Sequence, residues 1–321
     1  MNRAEFIEML NRDLADEHAS ILRYLIHAYQ VGEDTPLGQM LLSTAREEMW
    51  HMNWLGDEIG EMGEEPLMEK GDFPFDGTSN ASLLCSYIDW EANLIKMYED
   101  QAAQVDDGEM KRILQQLGWE SVTHMRRFQD WLEKLGPEGE EPFEEVEAEL
   151  SADLLQRFQK EMDQHYKLVL QHLRHAFVFE EPNCPVGSEL ELSAMRHMKH
   201  LSHFAEELAE SGQELPFGYP GVDMSRELKQ ALLSDLKLTE EAKDRLIMYS
   251  QDPEVEKHHG LKIEVDTMVT RNGLLSTVVK ELMESADEGE AVDEPMTKVS
   301  ADDVPADDKP APKWTVGSLK S

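Results

Sequence analysis

Two stretches of the chain place a carboxylate and an imidazole about one helical turn apart: Glu48 with His51, and Glu120 with His124. Residues three or four apart share a helix face, so each pair can offer a hard oxygen and a neutral nitrogen to one cation. Glu17 and Glu91 are single acids set among Leu14, Ile21, Leu84, Ile88 and Leu94, in registers where a helix faces its core. Burying a bare carboxylate is costly, so such acids need a metal or a proton. Any one of these residues alone is ordinarily a solvated charge; the combination carries the reading. Taken in chain order, Glu17, Glu48 with His51, Glu91, and Glu120 with His124 form a donor set with which a four-helix bundle holds two iron or manganese ions. Carboxylates suit ferrous and ferric ions and can bridge them, while imidazole adds a ligand without charge. The pair Glu120 and His124 departs from the usual spacing by one residue, which leaves its bridging geometry open.

The elements that must position these groups are helices. Apolar residues recur at spacings of three and four over residues 6–29, as one helix face requires, and strand alternation is absent. Thr35 and Pro36 announce a second helix that closes near Gly63. A loop over 64–79, marked by Pro66, Gly71, Pro74 and Gly77, is long enough to cross a bundle. Helices are predicted over 82–104 and 109–135, the last stopped by Gly136 and Pro137. Residues 1–136 therefore read as one all-α four-helix bundle.

After the acidic stretch GPEGEEPFEEVEAE the pattern begins again, in a second, degenerate helical bundle over 150–283. DEHASILRYLIHAYQV lies against QHYKLVLQHLRHAFVF, and AREEMWHMNWLGDEIGEMG against AMRHMKHLSHFAEELAESG, about 148 residues apart. Helices over 226–251 and 253–283, the latter starting at Asp252 and Pro253, could complete the second set; the alternative is two long amphipathic hairpins that look alike because all such hairpins do. In this alignment His165 replaces Glu17, His197 replaces Glu48, and His200 keeps the place of His51. Glu241 falls within one residue of the Glu91 position, Glu264 matches Glu120, and Met268 stands where His124 should be. The second half is thus expected to lack dinuclear chemistry. It is rich in imidazole, with His165, His172, His175, His197, His200 and His203 on two helices. His165, His197 and His200 could hold one zinc, iron or copper ion, or they could be the polar lining of a decayed site.

Composition bounds the partners. The 321 residues carry 67 acidic against 30 basic side chains, a net charge of −37, which disfavours nucleic acid and anionic membranes and attracts metal cations. No run approaches the ~18 apolar residues of a membrane span, and the start has no signal core. Two cysteines, Cys85 and Cys184, are too few for a disulfide framework and suit a reducing compartment, although they could pair with each other. A soluble cytoplasmic protein is expected. Residues 284–312, rich in Asp, Glu, Pro and Ala, are expected to form a disordered linker, and apolar character returns in KWTVGSLKS at 313–321.

On these motifs residues 1–136 resemble the bacterioferritin and rubrerythrin branch of the ferritin-like superfamily. The resemblance implies a ferritin-like bundle, duplicated, and a diiron centre that oxidises ferrous ion with oxygen or peroxide. Glu48 and Glu120 would bridge, Glu17 and Glu91 would be terminal ligands, and His51 and His124 would serve one iron each. Tyr24 with Trp50 or Trp54 could pass an electron, although such aromatics are ordinarily core. Met49 and Met198 match a bacterioferritin methionine that ligates haem, but a packed methionine is ordinarily gap-filling and haem is not favoured. KWTVGSLKS resembles an encapsulin cargo-loading peptide through Thr315, Val316, Gly317, Ser318, Leu319 and Lys320, with Trp314 in place of leucine. It implies residence inside an encapsulin nanocompartment, with the shell protein as partner. The implied activity is an encapsulated ferroxidase serving iron storage, and a homo-oligomer is compatible with it. The alternatives are a rubrerythrin-like peroxidase, against which the lack of a Cys-x-x-Cys pair counts, a manganese catalase, or a non-enzymatic metal-buffering cargo.

Overall fold

Helix starts follow from side chains that answer the unpaired amides of a first turn. In the computed structural model, which describes residues 2–74, 77–143, 148–179 and 186–290, α1 (Arg3–Val31) opens on a capping box between Asn2 and Glu5. Thr35 caps α2 (Pro36–Glu61), Ser79 caps α3 (Asn80–Gln104) and Asp107 caps α4 (Gly108–Leu135). The second half contains α5 (Ala152–Val178), capped by Ser151, then α6 (Val186–Glu210), α7 (Leu228–Ser250), capped by Glu227, and α8 (His259–Glu290). The described residues are all-helical apart from turns and one isolated bridge between Ser79 and Pro142. None of their helices is long and apolar enough to cross a membrane.

Two expected boundaries move. The helix expected from Pro253 begins only at His259: Asp252 accepts from the Glu254 amide, a single 3-10 turn follows over Val255–Lys257, and the chain leaves helical conformation at His258. At the other end α8 continues to Glu290, through the start of the linker expected from 284. No proline interrupts the chain before Pro295, and Glu and Ala are good helix formers. The rest of that linker, from 291 onward, and the segment from Thr315 to Lys320 lie outside the described residues.

α1 pairs with α2 and α3 with α4, and the loop over 62–79 joins the two hairpins. Side chains lock α1 onto α3, for example Gln101 Nε2 donating to Asp13 Oδ1 at 2.8 Å, and α2 packs on α4. In the second half α5 pairs with α6 and α7 with α8, while α5 meets α7 and α6 meets α8. Helices equivalent in order thus have equivalent neighbours.

The halves meet reciprocally, α1 against α6 and α2 against α5, the pattern of a two-fold contact between like hairpins. His18 and Tyr166, opposite each other in the sequence alignment, share a hydrogen bond of 2.8 Å. A Cβ on Gly60 would lie 1.9 Å from the Phe177 carbonyl oxygen, and one on Gly56 would lie 2.5 Å from the Phe177 ring, so this approach of α2 to α5 requires glycine. The larger of two buried apolar clusters runs from Met9 through Phe158 and Phe204 to Met268, so the main core is shared, and a smaller one gathers Ala176, Val186, Leu190, Leu232, Val279 and Leu282 within the second half. Arg174, fully buried, grips the Glu65 carboxylate with two nitrogens at 2.5 and 2.9 Å and ties α5 to the 62–79 loop.

Candidate metal centre

Four helices bring five of the six expected ligands together at the middle of the first half. Glu17, Glu48 and His51 present donor atoms within 4.8 Å of one another, and so do Glu48, Glu91 and His124; all five residues are buried. Glu48 belongs to both groups. Its carboxylate lies 2.7 Å from His51 Nδ1 and 3.0 Å from His124 Nδ1. Neither Glu48 oxygen has a hydrogen-bond partner among the described residues, and neither has Glu91 Oε2 or His124 Nδ1. Donor lone pairs that converge without satisfying one another are what a pair of bound cations would resolve. Three carboxylates and two imidazoles fit iron or manganese. The terminal acids are held by crossed tyrosines: Tyr24 of α1 donates to Glu91 Oε1 of α3 at 2.6 Å, and Tyr98 of α3 donates to Glu17 Oε1 of α1.

Glu120 is not in either group. Its carboxylate faces His51 Nε2 at 2.8 Å, on the side of the ring turned away from Glu17 and Glu48, and it accepts from Gln116. Glu47 does the same for the other ring, standing 2.9 Å from His124 Nε2 and taking two bonds from Arg127. The reason is one of register. Glu47 and Glu120 both sit four residues before a histidine, so they are counterparts; the counterpart of Glu48, three before its histidine, is Ser121, buried with its hydroxyl unpartnered. Each outer acid crosses the bundle to the other helix's imidazole and leaves its Nδ1 facing inward. Glu47 and Ser121 escaped the spacing argument, which sought one acid per motif. Aligning EEMWH with ESVTH on their histidines is the signal that finds both.

Charge in the centre is balanced by protons when no metal is present. Burial alone would lower His51, but Glu17 and Glu48 beside it hold it well above the ordinary imidazole range. His124 is raised likewise against its burial, chiefly by Glu48. Burial and the neighbouring Glu48 push Glu17 up to about 7. A metal ion bound there would compete with protons on His51 and His124. Burial pushes Asp13, one turn from Glu17, up to about 8, making it a second buried proton carrier. Partial burial would raise Glu47, yet hydrogen bonds from His124 and Arg127 hold it down to about 2. With side chains 33% and 28% exposed, Glu47 and Glu120 are where the centre meets solvent, along the seam of α2 and α4.

Other expectations resolve individually. Tyr24 touches Glu91, and the Trp54 ring stands 5.8 Å from the His51 ring, whereas Trp50 is 59% exposed. Met49 packs against the core. In the second half His165, His197 and His200 do cluster and are buried. Glu241 is exposed beside buried Ala242, and Glu264 lies 3.6 Å from His203 near the surface. Met268 is buried where His124 has its counterpart. Cys85 is free and exposed, and Cys184 lies outside the described residues. No family model, curated protein or solved structure matches the chain.

Proposed function

We propose that this chain is a ferritin-like diiron ferroxidase carried as cargo in an encapsulin shell. The observation that carries the enzymatic reading is Glu48, shared between two three-residue donor groups, each completed by a different imidazole and a different terminal carboxylate. A single site would not need two imidazoles on opposite sides of one carboxylate. Iron bound there supplies the electrons: two ferrous ions together reduce one oxygen to hydrogen peroxide, or one peroxide to water, with uptake of two protons.

The chain's own residues supply the rest. Glu47 and Glu120 stand in the seam between α2 and α4 and draw cations from solvent toward the centre. Glu17 and Glu91, fixed in orientation by Tyr98 and Tyr24, would each complete one of the two donor groups. Asp13 holds a proton at neutral pH within the same core and can return it as oxygen is reduced. The shell assignment is supported by the KWTVGSLKS pattern at 313–321 and by the acidic sequence that precedes it. Stopped-flow absorbance of ferrous ion mixed with the protein under oxygen, and anaerobically with peroxide, tests the activity and its oxidant. Fast oxidation by either, lost in Glu48→Ala, supports it; oxidation no faster than in protein-free buffer would refute it.

A further inference from the structure

The second half carries a donor set of different chemistry. His165 of α5 and His197 and His200 of α6 bring ring nitrogens within 4.8 Å of one another, all three side chains being buried. Their ring centroids stand 5.6, 5.2 and 5.8 Å apart, close to an equilateral triangle, and His200 meets both other rings nearly edge-on, at 85° and 86°. None of the six ring nitrogens has a hydrogen-bond partner among the described residues. A polar lining left over from a decayed site would still satisfy its nitrogens, because leaving a buried donor or acceptor unmade is costly.

The surroundings favour neutral nitrogen ligation. The nearby acids are engaged elsewhere: Glu161 accepts from Arg245 at 2.6 Å, and Asp235 is bonded to His175 and Gln171, both at 2.8 Å. Phe204 stacks on His165 with centroids 5.7 Å apart and closes one side. His172 donates Nδ1–H to the Leu168 carbonyl at 2.8 Å, which leaves its lone pair on Nε2, itself unpartnered; its ring is 5.2 Å from that of His197. In the sequence alignment the triad stands at the places of Glu17, Glu48 and His51, so one of the two donor groups of the first half has a counterpart in which both carboxylates have become imidazoles. The counterpart of the second group is missing, with Glu241 exposed and Met268 buried.

We infer that His165, His197 and His200 bind one divalent transition-metal ion of the zinc class, separate in kind from the iron pair. Three uncharged nitrogens and no carboxylate suit a borderline cation that accepts a tetrahedral three-histidine set, with water or His172 in the fourth position, and do not suit hard ferric, magnesium or calcium ions. The site stands whether or not the first half oxidises iron.

The test counts zinc. Full-length Glu48→Ala/His51→Ala protein, stripped with chelator, exposed to zinc alone and gel-filtered, should retain one zinc per chain, and adding His197→Gln should remove it while helicity measured by circular dichroism stays unchanged. Cobalt(II) added to the unsubstituted full-length protein should give the intense visible bands of a low-coordinate nitrogen site, displaced by zinc and missing in His197→Gln. This second measurement decides the matter if the double variant does not fold. His197→Gln should leave ferrous oxidation at the unsubstituted rate, so a failure here and a failure of the ferroxidase reading are told apart. Zinc retention that His197→Gln does not change, or cobalt bands no stronger than those of a six-coordinate oxygen site, would overturn the assignment.

Discussion

Removing the Glu48 carboxylate takes a ligand from both donor groups, whereas removing Glu47 or Glu120 takes only the hydrogen bond behind one imidazole. Glu48→Ala should therefore abolish fast ferrous oxidation in a protein that remains helical. Glu120→Ala and Glu47→Ala should bind iron about 10- to 100-fold more weakly and still turn over at saturating iron, the usual effect of losing an outer partner of a histidine ligand. Steady-state oxidation rates against ferrous concentration separate the two outcomes. Protons give a second expectation. The folded value of Glu17, about 7, lies above its ordinary 4.5, so the metal-free fold holds an extra proton and loses stability as pH rises from about 4.5 to about 7. His51 and His124, raised above 6.5, add stability that is complete below 6.5 and is lost as pH rises through their folded values. Melting temperature should thus fall with rising pH in the metal-free protein and much less in the iron-loaded one, where metal replaces those protons. Of the residues that gather at the bundle's middle, Glu48 and His51 are legible from pair spacing, and Glu17 and Glu91 from their place on apolar faces. Glu120 lies outside both donor groups because three- and four-residue spacings share a face, and only the neighbouring helix decides which acid points inward.

At the scale of elements, α2 carries both Glu48 and His51 and is positioned by its approach to α5. Gly60→Ala would put a methyl group 1.9 Å from the Phe177 carbonyl and must push the helices apart. We expect a loss of about 1–3 kcal/mol of stability, read by chemical denaturation, with weaker iron binding because the same helix holds two ligands. Gly63→Ala, where nothing lies within 4 Å, is a useful contrast, disturbed only by its positive φ of 72°. The helices themselves were well marked in the sequence: caps at Thr35 and stops at Gly136 act locally and can be read locally. The start of α8 was not, since the choice between continuing a 3-10 turn and opening a helix at Pro253 depends on packing of Val255 and Leu261 into the core.

The whole molecule is built so that neither half is closed. His18, Tyr29, Gly56 and Gly60 of the first half are covered by Tyr166, Ser202 and Phe177 of the second, a dependence that two separate repeats in the sequence did not announce. Residues 1–143 expressed alone should therefore self-associate through the α1 and α2 face, and a monodisperse monomer by light scattering would show that the halves are independent domains. Deleting 313–321 should leave ferrous oxidation untouched and abolish co-purification with a co-expressed encapsulin shell; truncated protein inside the particles at full-length levels would remove the tail as the address. The likeness of the two hairpins, α1 with α2 and α5 with α6, is legible in the sequence because both keep a similar apolar register. In the sequence the histidine triad is legible only as a pattern of residue types, to which its unpartnered buried nitrogens add chemical meaning.

On the proposed function, Glu48 would lie between two irons. Crystals loaded anaerobically with ferrous ion and measured at the iron absorption edge test it directly. Two anomalous peaks are expected, one among Glu17, Glu48 and His51 and the other among Glu48, Glu91 and His124. A single peak, or iron bound anywhere but against Glu48, would contradict it.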